Sequence, residues 1–453
     1  MSTHPIDSVT MGHLWGTAEL HAFLDDDGRI QTWLDILTAL AEAQAEVGLI
    51  PDAAAQAIRE HADVRLLDLA EVAERTRATG HSTLGLIQCL QGVLPEHARE
   101  WVYYGATVQD VSDTWTALVA RRMADIASRE LARVEAAACA LAERHRDTIM
   151  SGRTHGQAGL PVTFGFKAAV WAAELRRHQD RIAQGRPRWE VAQLGGALGT
   201  MEFWGAAALP LLDSFAARLG LSAPEIPWLT ARDRVAEFVG VLAMVTATLG
   251  KIGQEIYELQ RSEIGEVREP WPPGQVGSIT MPHKRNPELS EHLVSLSKLV
   301  RADAATALEA MVHEHERDGR AWKVEWVVVP EACQLTGAAL AAAARLLEGL
   351  EVDERRMRAN LDARGGYVLS EPVMRLATRR LGKHTAHALV YEAARAGLAD
   401  GVDLATAVLA HPGLAGQLGA AELAECLDPA AALGSAPAFV DRVLAGRRPP
   451  EEG

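Results

Sequence analysis

The sequence predicts an all-α protein built around a bundle of long helices, and three observations carry that expectation. Apolar residues recur at steps of three and four over very long stretches, alanine is abundant, and aromatic residues make up only 5% of the chain. With 453 residues, 48% hydrophobic and 23% charged, the chain can bury several cores and has the composition of a folded globular protein.

The first pattern runs from Leu20 to about Ala45, where Leu24, Ile30, Trp33, Leu34, Ile36, Leu37 and Leu40 keep helical spacing until Gly48 and Pro51 stop it. The segment to about Tyr104 reads as a small helical domain. From Val111 to about Arg146 there is neither Pro nor Gly, and Trp115, Val119, Met123, Ile126, Val134, Ala138 and Leu141 mark one very long helix, with Asp110 or Ser112 as its cap. Similar patterns over roughly 162–186, 231–266, 287–316 and 323–350 complete five long helices. A bundle of that length suits oligomeric packing. After residue 350 the helices shorten and Gly and Pro return, so the expected domains are 1–108, 109–350 and 351–453, ending in a polar tail at 447–453. No repeat of fixed period is visible.

A formal net charge of −15 argues against a nucleic-acid partner, which needs a broad positive surface. Cys89, Cys139, Cys333 and Cys426 lie far apart with no metal-ligand spacing, as expected for reduced thiols. His313 and His315 are two residues apart and would face opposite ways on a helix, so no metal is expected. The first residues, MSTHPIDSVTMGHLWG, lack the basic and apolar segments of a signal peptide, and no apolar run is expected to reach membrane-spanning length. The expectation is a cytoplasmic protein without membrane or nucleic-acid partners.

Chemistry concentrates at residues 269–287, Glu-Pro-Trp-Pro-Pro-Gly-Gln-Val-Gly-Ser-Ile-Thr-Met-Pro-His-Lys-Arg-Asn-Pro, too rich in Pro and Gly for helix. Gly274 and Gly277 let such a loop bend and expose N–H groups, while Ser278, Lys284 and Asn286 add an oxygen, a cation and an amide. That set suits a developing anion. On composition alone an ordinary surface loop is an equal reading.

Residues 277–286, Gly-Ser-Ile-Thr-Met-Pro-His-Lys-Arg-Asn, resemble the GSSxMPxKxN signature of the fumarase/aspartase superfamily. Gly105-Ala106-Thr107-Val108-Gln109-Asp110 is similar to its first block. Gly152-Arg153-Thr154-His155-Gly156-Gln157 resembles its second in the adenylosuccinate lyase form, and His315-Glu316-Arg317-Asp318 a later segment. The blocks stand in family order across nearly the whole chain. The resemblance implies a three-domain, cofactor-free homotetramer with a twenty-helix core, each active site assembled from three subunits. It makes Ser278 the base that removes a Cβ proton, with its alkoxide held by loop N–H groups and Lys284. Lys284 and Asn286 would stabilise the aci-carboxylate carbanion. His155 would protonate the leaving group, a task suited to an imidazole, and Glu291, thirteen residues after Ser278, would orient it. Thr107, Gln109, Thr154 and Gln157 are implied donors to substrate carboxylates, Arg317 the clamp for a second carboxylate, and His81 a pocket wall. Taken singly, these residues also fit blander roles: a core histidine, a solvated glutamate, turn braces or a surface ion pair.

The departures bear on the substrate. Ile279 and Val108 replace expected serines, and Trp322 and Trp326 stand where adenylosuccinate lyases carry a phosphate-gripping stretch. Indoles cannot pair a phosphate, which disfavours adenylosuccinate. The Trp pair, Gly195-Gly196-Ala197-Leu198-Gly199-Thr200 and Leu427-Asp428-Pro429 with Leu433-Gly434 look instead like 3-carboxy-cis,cis-muconate cycloisomerases, yet those generally lack the histidine that His155 supplies. The expectation is a lyase that releases fumarate from a small succinyl compound, an N-substituted aspartate or nitrogen-bearing succinate, with the lactonising cycloisomerase second. The partner is then a small di- or tricarboxylate.

Overall fold

In a computed structural model, residues 3–447 are described; the expected polar tail lies outside them apart from Arg447. Among the described residues the chain forms nineteen α-helices and two small two-stranded sheets. The five long helices are Val108–Arg144, Phe164–Trp189, Asp233–Gln260, Glu288–Glu309 and Gly319–Glu348. The chain divides into two compact units, Met1–Glu130 with His178–Gly250 and Leu293–Ala341, and Leu131–Arg177 with Lys251–His292 and Ala342–Gly453. The division falls inside every long helix.

Several expectations shift. The helix read from Leu20 to Ala45 is two, Ala18–Leu24 and Asp26–Glu46, because Asp25 takes an extended backbone and accepts the Gly28 N–H at 2.8 Å as an N-cap. Neither Asp110 nor Ser112 caps the first long helix. It starts at Val108, with Asp110 reaching back to the Thr107 N–H at 2.9 Å. The fourth long helix stops at Glu309 rather than 316, so His313 and His315 sit in a loop, and Asp318 opens the fifth by accepting the Arg320 N–H at 3.0 Å. The helices Asp233–Gln260 and Gly319–Glu348 are, against expectation, long and apolar enough to cross a membrane, but each is mostly buried in the protein.

In the first unit the helices close on a buried ion assembly. Asp113 lies on the first long helix, Arg232 just before the third and Glu325 on the fifth, and all three are at most 4% exposed. Arg232 donates from Nη1 and Nη2 to Asp113 at 2.7 and 3.0 Å, and from Nε to Glu325 at 2.9 Å and again through Nη2. Its last N–H reaches the Trp228 carbonyl at 3.4 Å, and the Trp228 ring centroid lies 4.9 Å from its Cζ. All five donors are thus engaged. Burial alone would push the guanidinium down, but two carboxylates hold it above its ordinary value, while burial raises the Glu325 carboxyl.

The second unit carries a β-hairpin between the first two long helices, and its C-terminal helices pack around Val373, Val390, Leu404, Val408, Leu414 and Leu423. Arg232→Met should lower stability by about 3–5 kcal/mol in urea unfolding, since it leaves two buried carboxylates uncompensated. A loss under about 1 kcal/mol would show that Asp113 and Glu325 do not depend on that charge.

Candidate functional site

Of the residues singled out in the sequence, His81, Thr107, Gln109 and Arg317 belong to the first unit. Thr154, His155, Gln157, Ser278, Lys284, Asn286 and Glu291 belong to the second.

At the start of the first long helix, Asp110 is fully buried and accepts N–H bonds from Gly195 at 2.7 Å, Gly196 at 3.0 Å and Thr107 at 2.9 Å, plus the Gln193 amide at 3.3 Å. Gly196 takes a left-handed φ of 68° there, which favours glycine. Burial pushes the Asp110 carboxyl up to about 6, against the opposing pull of its donors. Next to it, Gln109 is fully buried and both its amide hydrogens are used, on Asp113 at 3.0 Å and on the Leu229 carbonyl at 2.7 Å. It has none left for a substrate carboxylate. Its oxygen accepts the Arg317 Nε–H at 3.0 Å, and Arg317 Nη2 donates to the Ala197 carbonyl at 3.0 Å. The half-buried Arg317 keeps its Nη1 end without an acceptor among the described residues.

Trp322, which stands where adenylosuccinate lyases carry their phosphate-gripping stretch, is buried, with its indole N–H on Asp113 at 3.0 Å; Trp326 meets it edge to face at 4.9 Å. His81 is exposed, and its Nδ1 accepts the N–H groups of Thr83 and Leu84 at 3.4 and 3.3 Å, bracing the helix that starts there.

In the second unit, strands β1 (Ile149–Thr154) and β2 (Gln157–Thr163) pair antiparallel, and Thr154 faces Gln157 across a two-residue turn. His155 and Gly156 form that turn with φ of 52° and 73°, the sign a tight hairpin demands at both positions. All four residues of the turn are exposed. Below them Arg153 forks onto Glu266 at 2.6 and 2.9 Å, and Asn360 donates to the same carboxylate at 2.9 Å. The hairpin is thus anchored while its imidazole stays open.

The signature loop is pinned at its stem. Glu269, 3% exposed, accepts the N–H groups of Leu289 and Ser290 at 3.0 and 2.7 Å, capping the helix that follows the loop. Gln260 accepts the Glu269 N–H at 2.7 Å, and Arg285 lies over the Trp271 ring at 4.9 Å. Asn286 donates to the Gly277 carbonyl at 2.8 Å, so its first task is to shape the loop. A Cβ at Gly277 would stand 2.4 Å from the Lys284 carbonyl oxygen, which makes a glycine necessary there. Ser278 Oγ accepts the Met281 N–H at 3.0 Å, a donor already aimed at an oxygen that would carry charge. Lys284 and Glu291 are exposed. Burial first, then the Glu288 and Glu269 carboxylates, raise the Glu291 carboxyl, and Lys284 opposes them.

Sequence reading missed Tyr103. It is half-buried at a left-handed φ of 61°, and burial first, then the Asp110 carboxylate, push its phenol up while Arg317 opposes them. Among the described residues the four non-glycine positions with positive φ are Tyr103, His155, Met201 and His315, each in or beside a segment singled out from the sequence. Backbone strain gathers at functional segments, but nothing in a tyrosine or methionine announces it. Among the described residues, no group of three or more His, Cys, Asp or Glu side chains is placed to hold a metal.

Residues 16–301 match the family model described as Lyase, and residues 366–443 that of the adenylosuccinate lyase C-terminus. The chain is 42% identical to an N-acetyl-S-(2-succino)cysteine lyase of Dickeya dadantii over 98% of both chains. It is 39% identical to a nitrosuccinate lyase of Streptomyces davaonensis over 97% of this chain and 95% of that one. The crystal structure of 3-carboxy-cis,cis-muconate lactonizing enzyme from Pseudomonas putida superposes with a TM-score of 0.90 at 36% identity, covering 96% and 98% of the two chains.

Asp110 sets a pH dependence. The native carboxyl holds its proton up to about 6, whereas the ordinary value is 3.8, so the native state binds more protons in between. Its contribution is complete below the lower value and is lost as pH rises through the upper one. Relative to Asp110→Asn, the wild type should lose roughly 2 kcal/mol between pH 4 and 6.5 in urea titrations. Parallel stability curves for the two proteins would refute the shift.

Proposed function

The chain belongs to the fumarase/aspartase superfamily, in its adenylosuccinate lyase-like branch, and on that premise we propose that it cleaves a 2-substituted succinate by β-elimination and releases fumarate. The relatives named above supply the substrate class. One is named for a succinyl thioether and one for a nitro-substituted succinate, so the leaving atom is sulfur or nitrogen, with N-acetyl-S-(2-succino)cysteine the first substrate to test.

In this reading the Ser278 alkoxide takes the Cβ proton. The Met281 N–H that already points at Oγ at 3.0 Å, together with Lys284 once the loop closes, lowers the cost of that charge. The electron pair moves into the adjacent carboxylate, whose second developing charge Lys284 and Asn286 stabilise. The bond from Cα to sulfur or nitrogen then breaks, its pair leaves on the heteroatom, and His155 gives that atom a proton, with Glu291 orienting the imidazole. Thr107, Thr154 and Gln157 serve the substrate carboxylates, and the open Nη1 end of Arg317 grips the second one bidentately. His81 lines the pocket.

His155 carries the choice of elimination over lactonisation. A solvent-accessible imidazole at a fixed turn suits an external leaving group that needs a proton, whereas a ring-closing carboxylate is internal to its substrate. The cycloisomerase remains the second reading because of the fold likeness to the Pseudomonas enzyme.

A three-domain subunit, 1–108, 109–350 and 351–453, in a homotetramer with a twenty-helix core and active sites assembled from three copies, belongs to the same proposal. Exposed Val170, Met244, Leu299, Leu308 and Val327 on the long helices support it, since large apolar side chains left bare on long helices suit burial against another copy. The four free cysteines, three of them buried, support a cytoplasmic setting.

The deciding experiment incubates the protein with N-acetyl-S-(2-succino)cysteine, nitrosuccinate, an N-substituted aspartate and 3-carboxymuconate, and identifies the products. Fumarate from any of the first three supports the proposal; lactone from the last alone replaces it with the cycloisomerase. On the substrate so found, Ser278→Ala should reduce kcat by at least about 10³-fold with Tm unchanged, because the side chain serves the proton-transfer transition state. Turnover within tenfold of wild type would remove Ser278 from the base role. His155→Asn should cost on the order of 10²–10⁴ in kcat with an N-substituted aspartate and much less with nitrosuccinate, whose leaving nitrite is already a stable anion. Equal losses on both substrates would argue against a general acid at 155.

A further inference from the structure

Gln109 is fully buried, and three of its bonds fix which way its amide faces. Both acceptors around Nε2, the Asp113 carboxylate at 3.0 Å and the Leu229 carbonyl at 2.7 Å, demand N–H groups. The amide oxygen therefore has one direction left, toward the Arg317 Nε–H at 3.0 Å. Asp113 is in turn saturated. Oδ1 accepts Arg232 Nη2 and the Trp322 indole, each at 3.0 Å, and Oδ2 accepts Arg232 Nη1 at 2.7 Å as well as Gln109. Glu325 locks the far side of Arg232.

We propose that Gln109 is a positioning residue for Arg317, and that the buried Asp113–Arg232–Glu325 assembly with Trp322 exists in part to hold Gln109 in that orientation. This rests on the reading of Arg317 as a carboxylate clamp. A half-buried arginine with Nε and one Nη2 hydrogen tied down presents its other end in one fixed direction, so its rotational freedom is spent before the ligand arrives. The amide also does what a carboxylate at 109 could not. It accepts from Arg317 without neutralising it, which leaves the full positive charge for the ligand. Trp322 gains a reason to be tryptophan: the same ring without its N–H would leave Asp113 one donor short.

The test uses the full-length protein and fumarate as the probe, with affinities by titration calorimetry for wild type, Arg317→Met, Gln109→Met and the double variant. Gln109→Met keeps the length and loses the amide. Expected are a fall of at least tenfold for Arg317→Met, a fall of about tenfold for Gln109→Met, and a double variant no weaker than Arg317→Met alone, because Gln109 acts only through Arg317. Additive losses, or an unchanged affinity for Gln109→Met beside an impaired Arg317→Met, would overturn the positioning role and leave the clamp standing. Unchanged affinity for Arg317→Met would overturn the clamp and the positioning role with it. Should Gln109→Met fail to fold, Trp322→Phe replaces it in the same cycle. It should weaken fumarate about threefold, only when Arg317 is present, and the same two failures would count against the proposal.

Discussion

A guanidinium removed from water is tolerable only when every N–H has an acceptor and its charge is matched, and Arg232 meets both conditions with Asp113 and Glu325. Three long-helix segments of the first unit must converge to within hydrogen-bonding distance for this to happen, so the requirement fixes their mutual rotation more strictly than apolar packing does. Leucines can slide by an ångström at little cost, whereas a forked guanidinium between two carboxylates cannot. The register of the first long helix follows, and with it the placement of Thr107, Gln109 and Asp110, which lie within two turns of Asp113 on that helix or at its start.

The second unit solves its positioning problem with single buried carboxylates. Glu266 holds the hairpin through Arg153, and Glu269 holds both ends of the signature loop by capping the helix that follows it. Each anchor sits just outside the segment it serves. The residues proposed for the chemistry, His155 on its turn and Ser278 and Lys284 on the loop, are left in exposed or half-exposed positions where a ligand can reach them. Stability is concentrated at the anchors, and motion can be confined to the stretch between them.

Most of this fold was legible because period 3.6 survives in very long segments, and all five long helices were bounded to within a few residues at one end or both. What failed was local and polar. Asp25 interrupts the first pattern through a cap, and the segment from Ala310 to Asp318, with no apolar residue after Val312, leaves the helix, where Arg317 bonds Gln109 and Asp318 opens the next helix. The hairpin went unread since Gly-Arg-Thr-His-Gly-Gln has no alternating pattern. For the candidate site, motif matching named the segments, but not which side chains face inward. Gln109 and Trp322 carry donors, and only the partners supplied by distant segments reveal that these donors are already used. Tyr103 could not be found at all, because its distinction is a backbone angle.

The left-handed turn at His155 limits what drift can put in its place. Asparagine, aspartate and glycine accept such a backbone readily, while branched residues pay heavily for it. A lineage could therefore discard the imidazole through asparagine or glycine and keep the hairpin intact. Fold and the proposed acid are separable at this one position, so on that proposal descendants with the same architecture can part company in their chemistry by a single codon.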